Sequence, residues 1–187
     1  PMVGAAQGAD WQGGDFAGVT QMIESGYFET LGVGALWLSP FNTAEEGTGK
    51  AADGEHDVSA FHGYWPTEPR GIEPKLGTAD ELHALIEAAH DQDIRVMMDF
   101  VVNHVHEEHT YYEENPEWFN AGCICGSANC DWTVHRLDCQ FTSYMPDVNW
   151  KIRNASEQFI DDALWWLEEF DLDGARIDAV KHVDDLA

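Results

Sequence analysis

The run Ile94-Arg-Val-Met-Met-Asp-Phe-Val-Val102 is apolar except at Arg95 and Asp99. A strand of that kind has both faces covered, the condition of a parallel strand packed between helices. The flanking segments agree. Thr78-Ala-Asp-Glu81 spells a capping box, and Leu82, Leu85, Ile86 and Ala89 follow at i, i+3, i+4 and i+7, one apolar stripe along a helix. Upstream, Gly34-Ala-Leu-Trp-Leu-Ser39 is a short apolar run closed by Pro40 and reads as a buried strand. Before it, Asp15 caps a helix carrying Val19, Met22 and Ile23 that ends near Gly26 or Gly32. Downstream, Asn154-Ala-Ser-Glu157 starts a third helix with Asn154 as N-cap, and Phe159, Ala163, Trp166, Leu167 and Phe170 form its inner stripe. Asn154-Ala-Ser156 is also a glycosylation sequon, though the cap is the simpler reading. Asp173 to Asp178 is a last short strand. Helix and strand alternating three times give an α/β chain with a parallel sheet.

Two stretches break the alternation. Residues 41–77 are a long Gly/Asp/His-rich loop, and 103–150 show no periodicity at all. The second is too long for an ordinary connection and reads as an inserted subdomain. It holds all four cysteines, Cys123, Cys125, Cys130 and Cys139. The first pair is spaced more tightly than most zinc sites. Two disulfides are the leading reading, with a structural metal or free thiols as alternatives. Four cysteines allow three pairings, and the spacing does not choose among them.

Composition narrows the partners. Hydrophobic residues make up 44% of the 187, enough to bury a core and to exclude disorder. Nine Lys and Arg face 35 Asp and Glu, a formal charge of -26. Such a chain is repelled by nucleic acid and anionic membranes, and suits a sugar, a metal ion or a basic protein. No apolar run approaches the roughly 18 residues of a membrane span. The sequence from Pro1 to Gly14 has no basic segment followed by an apolar one, so no signal peptide is expected in it. The acidity fits either a high-salt habitat or an ordinary exported protein.

Ionisable residues gather at strand C-terminal ends, where α/β sheets carry their sites. Arg176 and Asp178 stand at i and i+2, on one face of a strand. A guanidinium there favours an ionised, oriented carboxylate, as a carboxylate nucleophile requires. A plain ion pair is the bland alternative. Lys181 and His182 add two further donors in a chain poor in basic residues. Asp99, Asn103 and His104 leave the apolar strand together, and Asp147 precedes the third helix. Carboxylate and amide oxygens suit calcium, whereas turn hydrogen bonding would explain the same residues. Tyr64 and Trp65 offer rings for stacking on sugar C–H faces, or simply fold onto the sheet.

These segments resemble the α-amylase family, glycoside hydrolase family 13. Asp99-Phe-Val-Val-Asn-His104 is similar to its first signature region, and Gly174-Ala-Arg-Ile-Asp-Ala-Val-Lys-His182 to its second. Met145-Pro-Asp-Val-Asn149, Ala35-Leu-Trp-Leu-Ser-Pro40, His62-Gly-Tyr-Trp65 and Leu76-Gly-Thr78 match further landmarks in the same order. The resemblance implies a partial TIM (β/α)8 barrel, about strands 2 to 4, in residues 1–102 and 151–187. An inserted, cysteine-containing domain B would occupy 103–150, after strand 3. It implies a retaining α-glycosidase acting on starch-like glucans or maltooligosaccharides. Asp178 would be the nucleophile and Arg176 its orienting partner. Tyr64 and His104 would hold the sugar beside the scissile bond, Lys181 would contact it on the leaving-group side, and His182 would join the substrate-binding residues. Asn103, Asp147 and the His182 carbonyl would bind a structural Ca2+, and Asp99 would brace the strand end. The protein is then expected to be extracellular or periplasmic, and a monomer.

A complete barrel needs roughly 250 residues. The family's general-acid Glu and third carboxylate would lie beyond Ala187, and its first strand before Pro1. Retaining hydrolysis uses two carboxyl groups roughly 5–5.5 Å apart, so the 187 residues alone are expected to be inactive. A transglycosylase or isomerase of the same family is one alternative. A non-catalytic relative used for binding is another, although such relatives usually lose the region that is intact here around Asp178.

Overall fold

The computed structural model describes residues 14–51, 54–185 and 187. Along the chain run α1 (Phe16–Glu24), α2 (Tyr27–Leu31), β1 (Ala35–Leu38), β2 (Thr48–Lys50), β3 (Asp57–Ser59), α3 (Ala79–His90), β4 (Arg95–Phe100), α4 (Thr110–Glu114), β5 (Phe119–Asn120), β6 (Asp147–Val148), α5 (Arg153–Glu169) and β7 (Gly174–Ile177). Strands β1, β4 and β7 form one parallel sheet in that order. Leu36 pairs with Val96, and Asp99 pairs with Arg176. The parallel sheet and its helices thus follow the sequence pattern.

Helix α3 begins on the expected capping box: the Thr78 side chain accepts from the Glu81 N–H while Glu81 reaches back to the Thr78 N–H. Its stripe of Leu82, Leu85, Ile86 and Ala89 is fully buried. These side chains share one apolar cluster with Phe16, Ile23, Val96, Met98, Phe159 and Trp166. Truncating a buried leucine there would remove about 2–5 kcal/mol. Asp173 ties the sheet to the helix layer. Its Oδ2 accepts the Val96 N–H at 2.8 Å and lies 3.0 Å from His90 Nε2.

Several boundaries differ from expectation. The first helical segment is two helices, broken at Gly26, whose φ of +73° suits a residue without Cβ. Phe16 and Ile23 face inward there, while Met22 is exposed. Strand β1 buries Leu36 but leaves Trp37 57% exposed, so it is not covered on both faces among the described residues. The apolar run at 94–102 is a strand only to Phe100. Beyond it the Val102 carbonyl instead accepts the Trp150 indole N–H at 3.1 Å. Helix α5 is not capped by Asn154: its N-cap is Ile152, without a side-chain cap bond. The upstream Asn149 starts the turn instead, accepting from the Lys151 N–H with Oδ1 and from the Ile152 N–H with its carbonyl.

The two irregular stretches carry small ribbons. β2 and β3 pair antiparallel within 41–77, and β5 pairs with β6 across the second stretch. Their strands are too short to leave a period in the sequence. Cys123 is bonded to Cys130 and Cys125 to Cys139, and Cys125, Cys130 and Cys139 form a small buried cluster of their own.

Candidate active site

Strand register assembles the first group. Because Asp99 pairs with Arg176 across β4 and β7, the guanidinium meets two carboxylates at once. Arg176 Nη1 donates to both Asp99 oxygens at 3.0 Å and to Asp178 Oδ1 at 2.5 Å. Asp99 is 0% exposed, a position tolerable for a charged carboxylate only with such partners. Its Oδ2 also accepts from the Tyr64 hydroxyl at 2.7 Å. Burial, then the bond to Asp99, push the Tyr64 phenol well above its ordinary range, so it stays a donor. The bonds to Asp99 and Asp178 hold Arg176 protonated. Its guanidinium lies over the exposed Trp37 ring, 4.9 Å from the centroid, a cation–π contact that fixes its plane.

Asp178 itself follows the end of β7, with its N–H on the Phe100 carbonyl at 3.1 Å. The next residue, Ala179, has φ +49°. That left-handed conformation is uncommon for a residue with a Cβ and turns the chain sharply after the carboxylate.

Aromatic and imidazole rings surround this centre. His62 stacks on Tyr64 with centroids 5.6 Å apart and accepts the Tyr64 N–H at 2.9 Å. His104 Nε2 lies 3.0 Å from the Tyr64 carbonyl, while its Nδ1 is buried without a partner. Burial drops both imidazoles to about 4, so they are neutral at pH 7. Phe141 touches His104 (5.3 Å) and His182 (5.0 Å), and Trp132 touches His182 (5.4 Å). His182 Nδ1 lies 3.0 Å from the Arg136 carbonyl, and Arg136 Nη1 donates to the Lys181 carbonyl. The Lys181 side chain is exposed.

A second carboxylate centre lies where β6 meets the chain after β4. Asp147 is 2% exposed. Asn103 Nδ2 donates to its Oδ1 at 3.2 Å and Asn120 Nδ2 to its Oδ2 at 2.8 Å. Burial pushes its carboxyl up to about 7, with the charge of Asp138 adding to the rise. Asn103 Oδ1 is buried with no partner. A buried carboxylate bonded to amides, beside an orphaned amide oxygen, is a donor set that fits a hard divalent ion. Separately, Glu45, His106 and Glu108 bring donor atoms within 4.8 Å of one another.

The expected residues therefore fall into two groups: Tyr64, Asp99, His104, Arg176 and Asp178 in one, Asn103 and Asp147 in the other. His182 contacts the rings bordering the first, and Lys181 enters only through its backbone. Sequence reasoning missed His62 as a neutral support for Tyr64, Phe141 between the two imidazoles, Trp132, and Asn120 on Asp147. His62 left a signal in the His62-Gly-Tyr-Trp65 segment, and Trp132 as a lone indole inside a cysteine-bounded polar stretch.

Comparison with known proteins gives a consistent result. Residues 4–187 match the family described as Alpha amylase, catalytic domain. A β/α-amylase of Paenibacillus polymyxa is 30% identical over 92% of this chain. A cyclomaltodextrin glucanotransferase of a Bacillus species is 29% identical over 92%. The crystal structure of an Anoxybacillus α-amylase superposes with a TM-score of 0.77 at 29% identity, covering 94% of this chain. The chain spans 14%, 26% and 36% of those three proteins' own lengths. It belongs to the α-amylase family and matches part of that family's catalytic barrel.

Proposed function

We propose that this chain supplies the nucleophile half of a retaining α-glycosidase acting on starch-like glucans or maltooligosaccharides. The observation that carries this reading is Arg176 bridging buried Asp99 and half-buried Asp178. Asp178 is anchored by one oxygen, which leaves the other to attack an anomeric carbon. As the glycosidic bond breaks, Asp178 forms a glycosyl ester. Water then hydrolyses that ester, with a second carboxyl group acting first as acid and then as base. Neutral His104 can hydrogen-bond a sugar hydroxyl, and the Tyr64 ring offers a stacking face. Lys181 borders the leaving-group side, and His182 joins the substrate-binding residues. In this reading the sheet is strands 2 to 4 of the barrel, and residues 103–150 are an inserted domain B. The 187 residues alone, with one of the two carboxyl groups, do not turn over substrate.

Asn103, Asp147 and the His182 carbonyl would hold a calcium ion that clamps the insert onto the sheet. Bound there, it would supply positive charge to Asp147. The disulfides support the reading of an exported protein, which we expect to be a monomer. Transfer to a second sugar instead of water is the second reading, favoured by the similarity to a glucanotransferase.

The test is performed on the complete protein that carries this chain. Maltoheptaose hydrolysis should release the α-anomer first, visible by NMR. A slow glycosyl fluoride should leave its adduct on the peptide containing Asp178. Release of the β-anomer, or an adduct elsewhere, would sink the assignment.

A further inference from the structure

The disulfide-closed loop carries a feature that the catalytic reading leaves unused. Trp132 is 45% exposed, although an indole is among the side chains most favoured for burial. It is not a loose side chain. Two disulfides, Cys123–Cys130 and Cys125–Cys139, constrain the loop on both sides of it. The ring edge sits over Gly126, which has φ +78°, and a Cβ there would come within 2.5 Å of the indole nitrogen. Asp131 Oδ1 accepts the N–H groups of Thr133 and Val134, fixing the turn beyond the tryptophan. One side of the ring meets His182 at 5.4 Å and Phe141 at 5.8 Å.

What lies around Trp132 has the chemistry of a sugar site. It lines an open groove of about 500 Å³ with Ser127, Asn129, Asp131 and His135. A flat indole for C–H faces, flanked by short polar side chains for hydroxyls, suits a neutral polyhydroxylated ligand. Two hydrogen bonds join the loop that carries this groove to the segment after Asp178: His182 Nδ1 lies 3.0 Å from the Arg136 carbonyl, and Arg136 Nη1 donates to the Lys181 carbonyl. The loop is thereby stapled to the segment that carries Asp178. We infer that Trp132 is the stacking platform of an additional α-glucan subsite, beside the segment that carries Asp178 and preorganised by the two disulfides. The inference rests on the glycosidase reading for the identity of the ligand.

The decisive measurement uses the complete protein with its native Trp132. Indole oxidation by N-bromosuccinimide is mapped by peptide mass spectrometry with and without maltoheptaose. The Trp132 peptide should be protected by maltoheptaose and not by cellohexaose. Equal oxidation with and without maltoheptaose would overturn the subsite, and equal protection by cellohexaose would overturn its assignment to an α-glucan. In an Asp178→Asn background, Trp132→Ala should weaken maltoheptaose binding about tenfold, and Trp132→Phe should recover most of it. An unchanged Kd in Trp132→Ala also overturns the inference. Undiminished turnover in Asp178→Asn alone would sink the nucleophile assignment instead, while protection of Trp132 would still report the groove.

Discussion

Asp99 and Asp147 are both buried carboxylates, and the protein treats them oppositely. Asp99 accepts two bonds from Arg176 and one from Tyr64. Among the described residues Asp147 accepts only from the neutral amides of Asn103 and Asn120, and burial lifts its carboxyl to about 7. A buried charge needs a countercharge, because amide dipoles recover only part of the lost hydration. The first centre finds that charge in its own sequence, so it is complete as folded. In the second no cationic side chain is bonded to the carboxylate among the described residues, so in the proposed calcium reading its stability is open to control by an ion.

Removing the countercharge from the first centre should make it resemble the second. Arg176→Ala leaves Asp99 buried with only the Tyr64 hydroxyl. We expect a clear loss of stability in urea unfolding, because Asp99 stays buried without its countercharge, moderated by solvent screening of the 37% exposed guanidinium. An unchanged midpoint would show that Asp99 does not depend on Arg176.

Supplying the countercharge to the second centre should have a slightly smaller effect. Calcium at a hundredfold excess over its Kd should stabilise the fold by about 2.7 kcal/mol, and chelation should reverse this. In Asp147→Asn the response should vanish. A calcium response that survives in that variant would move the ion elsewhere, with Glu45, His106 and Glu108 the first alternative to test.

A third buried group copes by remaining uncharged. His109 is buried, accepts the Tyr111 N–H at 3.0 Å, and is dropped to about 3 by burial. Its folded value lies below its unfolded value of roughly 6.5. The unfolded chain therefore binds a proton between those values that the folded chain refuses, and stability falls as pH falls through that window. The slope from this one residue is at most about 1.4 kcal/mol per pH unit. His109→Asn keeps an acceptor for the Tyr111 N–H and should remove that share of the slope between pH 6 and 4. Identical slopes in the two proteins would refute the idea.

The two carboxylate centres were also unequally legible in the sequence. Arg176 and Asp178 face the same way because strand periodicity puts i and i+2 together, and the capping box and stripe of α3 fix the neighbouring helix. That Asp99 would share the same guanidinium depends on β4–β7 register, which a sequence without pairing information does not hold. Asn120 reaches Asp147 only because β5 pairs with β6 over two residues, too short to leave a hydrophobic pattern. Cysteine pairing was open for the same reason: loop spacing allows all three connectivities, and the fold selects one. The misplaced cap of α5 shows local chemistry overriding a motif, since Asn149 made the turn before Asn154 could.

The mildest perturbation probes what the amides at the second centre contribute. Asn120→Ala deletes one donor to Asp147 and should cost about 1 kcal/mol without calcium. Asn120→Asp is the sharper variant, because it replaces the donor with a second carboxylate. Without calcium the two acids repel and the loss should exceed that of Asn120→Ala. With calcium the added oxygen can share the ion's charge, and the order of the two variants should reverse. Thermal midpoints of both variants, with and without calcium, decide it. If Asn120→Asp lowers the midpoint equally in both conditions, no cation reaches Asp147, and the contrast between the two centres lies in packing instead of charge.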